Sequence, residues 1–204
     1  MDKAAAQDLR NTNLRGPVII SRHGKPSLDY KAPPRLDWRE YSNWWGRYEA
    51  CSLFDGQTAP SALMEHVSDA AIVLSSVRLR AVETAMKAAP HMAPEQHAVF
   101  NEAPLPPPRF KRAKYLPKTW GILSRTAWLY GHALDGESVS EARLRAAAAA
   151  QHLHEASEAG KVYLAAHGWF NRMIRKEMKK IDWKCVYNGG DSYWSYRIYE
   201  YRGR

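Results

Sequence analysis

Cysteine is scarce: Cys51 and Cys185 are the only two in 204 residues. They lie far apart and form neither a CxxC pair nor a Cys/His ligand spacing, which excludes a disulfide scaffold and a zinc-ribbon type of site. They read as two reduced thiols, as in a cytosolic protein. No apolar run approaches the roughly 20 residues that cross a bilayer. The opening "MDKAAAQDLRNTNLRG" lacks the apolar centre of a signal peptide, and residues 1–16 read as a lead-in. The expectation is a soluble, cytoplasmic protein with no membrane contact. Acidic residues are also in short supply, 21 against 30 Lys and Arg, for a net charge of +9. That favours anionic partners without choosing among phosphorylated metabolites, nucleic acid and a membrane surface. No nucleic-acid motif accompanies the charge, which is dispersed along the chain, and this argues against nucleic acid.

Three buried strands stand out as short apolar runs: "PVIIS" at 17–21, "AAIVLSS" at 70–76 and "KVYLAA" at 161–166. "HAVF" at 97–100 is a weaker fourth, and "DSYWSYRIYEYR" at 191–202 alternates enough to be a last strand. Helical patterns begin at Arg78 and Trp169, and a third runs from about 138 to 159, with Gly160 suited to its end. Strands alternating with helices predict an α/β fold, three layers deep, with a mainly parallel central sheet. One domain over 17–204 is expected. Two aromatic-rich segments, about 29–60 and 103–132, break the rhythm and read as helical or loop insertions over the active-site face. Trp38, Trp44 and Trp45 are too crowded for all to be exposed.

Each strong strand ends in reactive residues. The first runs into Ser21-Arg22-His23-Gly24, the second into Ser75-Ser76 with Arg78 and Arg80 beyond, the third into His167-Gly168. The weak fourth ends in Asn101-Glu102. Open parallel sheets bind ligands beyond the carboxyl ends of their strands. Two histidines, several arginines and a glutamate converging there suit phosphoryl transfer. Guanidinium forks match phosphate oxygens, neutral imidazole is a nucleophile toward phosphorus, and a carboxylic acid can protonate a leaving oxygen.

These segments resemble a known family. "SRHGKP" resembles the Arg-His-Gly signature of the histidine phosphatase superfamily, phosphoglycerate mutase-like and of the branch 1 type. "SSVRLRAVETA" resembles its second block and "AAHGWFNRMI" its late His-Gly block. The resemblance implies that His23 is the nucleophile forming a phosphohistidine. It implies that Arg22, Arg80 and His167 hold the phosphate, and that no metal or other cofactor takes part. Glu102 fits the usual place of the proton donor. Glu137 is its rival, and with Asn171 a candidate for supporting the pocket from behind. Ser138 and Glu141 read as a helix-start capping box. Val77-Arg78 and Lys25-Pro26 depart from the family pattern, as does the 103–132 segment.

The expected function is therefore metal-independent hydrolysis of a small phosphomonoester. A mutase-like phosphotransferase and a basic phospho-ligand or nucleic-acid binding protein are the alternatives. Oligomeric state is not legible. The basic run "RFKRAK", 109–114, reads either as a solvated face or as a guide for anionic substrates.

Overall fold

A computed structural model describes residues 15–29, 34–134 and 136–203. Most of the expected lead-in, residues 1–14, lies outside the described residues, as does Tyr30. Six strands form one sheet in the order β3-β2-β4-β1-β6-β5. They are β1 Val18–Arg22, β2 Ile72–Ser75, β3 Glu95–Gln96, β4 Val162–Ala166, β5 Trp183–Asn188 and β6 Tyr196–Tyr201. The first four in that order pair in parallel, and β6 and β5 run antiparallel at one end.

The period-2 alternation of the strands sorts the core into two layers. Val18, Ile20, Val162, Leu164 and Ala166 face helices α5 Val139–Ala156 and α6 Gly168–Lys180. Ile19, Val73, Tyr163 and Ala165 face α2 Ser61–Val67 and α3 Leu79–Ala88. The α/β fold in three layers is thus present. The alanines of α5 (Ala142, Ala146, Ala149, Ala150) are buried on one face and let that helix lie close to the sheet. Its start is the capping box of Ser138 and Glu141, and Gly160 (φ 128°) ends the turn that follows it. Among the described residues, no helix is long and apolar enough to cross a membrane.

The two insertions fold onto each other. α1 Trp38–Ala50 is capped by Asp37, and α4 Pro117–Leu129 starts on a proline. Their buried faces stack Tyr41, Trp44, Tyr48 and Trp120 into a separate core, tied by Trp120 Nε1 donating to the Leu36 carbonyl at 2.7 Å. Trp44 is thus the buried member of the tryptophan cluster, while Trp38 and Trp45 flank it.

Two expectations need correction. Residues 98–100 form a turn of 3-10 helix, and the fourth parallel strand is only Glu95–Gln96. Val99 and Phe100 both pack against the same core, which neighbouring residues of a strand cannot do. The last strand starts at Tyr196, because residues 191–195 form a loop with Trp194 at φ 65°. β5 was not anticipated. It is an edge strand whose residues from Lys184 onward are at least partly exposed, so it carries no apolar run.

Candidate active site

The parallel register brings the three reactive strand ends together. Arg22 pairs with Ala166, and Ser75 with Ala165. His23 and His167, each one residue further, therefore stand side by side, ring centroids 5.2 Å apart and nearly edge to face. Beyond them opens a cavity of about 410 Å³, lined by Arg22, His23, Arg80 and Glu102 together with residues of both insertions. His167 is fully buried behind this lining.

The hydrogen bonds set the tautomers. His23 Nδ1 lies 2.7 Å from the Gly24 carbonyl, which can only accept, so Nδ1 carries the proton and Nε2 the lone pair. Arg80 Nε donates to that lone pair at 3.4 Å. His167 is arranged the other way round. Its Nδ1 lies 3.4 Å from Arg80 Nη2, an obligate donor, so its Nε2–H points to Ser76 Oγ at 2.7 Å. Burial, followed by the charges of Arg80 and Arg22, holds His23 well below its ordinary pKa, outweighing the Gly24 bond. His167 is lowered by burial first, then by Arg80 and by His23. Both rings are neutral at physiological pH.

Arg80 is 1 % exposed and is held by α1. Its Nη1 donates to the carbonyls of Tyr48 and Glu49, both at 2.9 Å, and Nη2 to the Glu49 carboxylate at 2.7 Å. The C-terminal end of α1, where carbonyls are left unpaired and the helix dipole is negative, thus anchors a guanidinium. Glu49 also pairs with Arg78 at 3.0 Å. The first insertion is therefore part of the site as well as a cover over it.

Arg22 donates Nη1 to the Asp191 carbonyl at 2.7 Å, and its guanidinium lies 4.2 Å from the centre of the Tyr193 ring. Among the described residues, its buried Nε has no hydrogen-bond partner. A Cβ on Gly168 would stand 3.1 Å from that Nε, and one on Gly24 would stand 2.6 Å from the Trp194 indole. Both glycines permit close packing around the strand ends.

Glu102 lines the cavity and also caps α6. Its Oε1 accepts from Phe170 N at 2.8 Å and Ala103 N at 3.0 Å, and Oε2 from Trp169 N at 3.2 Å. Glu137 does not reach the cavity. It forms a two-pronged ion pair with Arg145, which donates to the Val99 and Asn101 carbonyls and so holds the segment leading to Glu102. Asn171 sits under β1, donating to the Ser21 carbonyl at 3.0 Å. Arg172 pairs with Asp191 on the surface. The basic run at 109–114 does not line the cavity. Lys118 and Arg125 of α4 do.

The family model for the histidine phosphatase superfamily (branch 1) matches residues 55–204. The chain belongs to the histidine phosphatase superfamily. Membership supports phosphatase- or mutase-type chemistry on small phosphorylated substrates. The matched span begins after His23, and it is the pairing of β1 with β4 that brings His23 beside His167. Among solved structures, a functionally characterised open reading frame product of Mycobacterium tuberculosis is similar, with TM-score 0.51 and 20% identity over 78% of this chain and 77% of that one. A phosphoserine phosphatase of Entamoeba histolytica, solved as a histidine-to-alanine mutant with phosphoserine, has TM-score 0.52 and 16% identity over 81% of this chain and 80% of that one. At these identities the likeness is one of fold. No curated protein matches the chain significantly.

Sequence reasoning missed Glu49, Tyr193, Lys118 and Arg125. Lys118 and Arg125 lie seven residues apart, two turns along one face of a helix, and that spacing was readable once a helix at 117–129 was assumed. Glu49 and Tyr193 carry no such signal.

Proposed function

We propose that the protein is a metal-independent phosphomonoesterase that works through a phosphohistidine on His23. The observation that carries this reading is the tautomer of His23: proton on Nδ1 toward Gly24, lone pair on Nε2 beside Arg80 at the cavity floor. An incoming phosphate dianion gives Arg80 Nε a stronger acceptor than imidazole, which frees the lone pair for in-line attack on phosphorus. Arg22 and Arg80 hold the phosphoryl oxygens as the bond to the leaving oxygen breaks. His167 takes up a proton on Nδ1 beside the bound anion and then donates to an equatorial oxygen. Glu102, the only carboxylate among the described residues lining the cavity, delivers a proton to the leaving oxygen. It next takes one from the water that cleaves the phosphohistidine.

Hydrolysis of an aryl phosphate in the presence of EDTA, compared between the wild type and His23→Ala, tests this. Turnover that survives chelation and disappears in the variant supports it. An active His23→Ala protein removes His23 from the mechanism, and transfer of the phosphoryl group to an added alcohol without net hydrolysis favours a mutase.

A further inference from the structure

A second cavity, of about 670 Å³, lies between the end of α6 and the edge strand β5. His167 caps the start of α6, and the helix residues on this cavity's rim, Arg175 to Lys179, stand 8 to 12 residues further along, about 12–18 Å away at 1.5 Å per residue. Its rim carries Arg175, Lys176, Lys179, Lys184 and Arg202, against one carboxylate, Asp182. Arg202 pairs with Glu200, whereas among the described residues the other four cations form no ion pair. The helix dipole accounts for basic residues in the last turn of α6, Lys179 and Lys180. It does not account for Lys184 on a strand, for Arg202, or for Arg175 and Lys176 in mid-helix. The floor is different in kind: it is closed by apolar side chains, the almost wholly buried Trp183 and Tyr199 with the half-buried Cys185 beside them.

We infer that this cavity is a second binding site for a small organic polyanion with a flat apolar body, of the nucleotide class. The size lies within the range of small-molecule sites, and an apolar floor under convergent charged groups is their usual build. A second copy of the chain is a poor occupant, because a two-fold contact would set these cations against themselves. The inference stands apart from the phosphatase reading, since the two cavities share no lining residue.

Isothermal titration with ADP, on protein whose active site is saturated with tungstate, tests the site. The expectation is one ADP per chain, with affinity lowered by about tenfold or more in Lys179→Glu/Lys184→Glu, a change of at least about 1.4 kcal/mol. Both lysines are exposed, and aryl phosphate turnover should be unchanged in that variant. Pyrophosphate and adenosine, which each keep half of the ligand's chemistry, should bind at least about tenfold more weakly than ADP. Absence of ADP binding at millimolar concentration overturns the inference. Equal binding by wild type and variant overturns it by placing ADP elsewhere. Pyrophosphate binding as tightly as ADP reduces the cavity to a charged surface, which also overturns it.

Discussion

The Nε of Arg80 stands 3.4 Å from Nε2 of His23. The lone pair proposed to attack phosphorus is thus covered by a guanidinium that prefers an anion. On the proposed mechanism the contact couples substrate binding to exposure of the nucleophile, and it depends on what fixes Arg80.

Glu49 is the residue that fixes it. Glu49→Gln keeps the shape but removes the charge from a bond to Arg80 that is almost entirely buried. Hydrogen bonds to charged groups contribute about 1.5–3 kcal/mol. The expected result is a fall in kcat/KM of about 10- to 100-fold, with the fold retained. Circular dichroism and steady-state kinetics check this, and Glu49→Asp should recover part of the loss. An unchanged kcat/KM would show that the two helix carbonyls alone hold the guanidinium.

For Glu102, the cap and the proposed role of proton donor are separable. A proton donor matters most when the leaving oxygen is a poor one. Glu102→Gln should slow hydrolysis of an alkyl phosphate by about 100-fold or more, and of a nitrophenyl phosphate much less. Equal losses on both substrates would mean that Glu102 acts only by holding the start of α6.

Acid should destabilise the protein through its two buried histidines. Both have folded-state pKa values well below the ordinary 6.5. On acidification the unfolded chain binds protons that the folded one refuses. Stability is therefore full above pH 6.5 and is lost as pH falls from there toward the folded-state values, by up to about 1.4 kcal/mol per pH unit for each histidine. Urea unfolding at several pH values should show this slope, and His167→Gln should flatten it. The same slope in both proteins would contradict the account.

Gly24→Ala would push a methyl group into the Trp194 indole. The expected cost is about 1–3 kcal/mol of stability, together with lost activity, since Gly24 supplies the carbonyl that sets the His23 tautomer. In a Trp194→Ala background the stability cost should shrink. Thermal unfolding of the four proteins of that cycle measures the coupling.

Much of this arrangement can be read in the sequence, for reasons that also mark its limits. β1, β2 and β4 are buried on both faces, so each leaves a continuous apolar run, and the charged residues that end each run stand out. β5 is exposed and leaves none. Val99 and Phe100 read as a strand because composition cannot show that both turn to one side. Glu137 reads as the rival of Glu102, yet its partner is Arg145 rather than the cavity. Glu49 and Tyr193 reach the site only because an insertion and a hairpin loop fold back over it, and that return is a tertiary event with no local pattern.

The most direct measurement is rapid-quench trapping of the enzyme with a ³²P-labelled aryl phosphate. The account predicts label on the protein that survives alkaline denaturation, is lost in acid, and is absent from His23→Ala. Turnover with no protein-bound label, or label that persists in His23→Ala, would contradict the central claim that His23 carries the phosphoryl group.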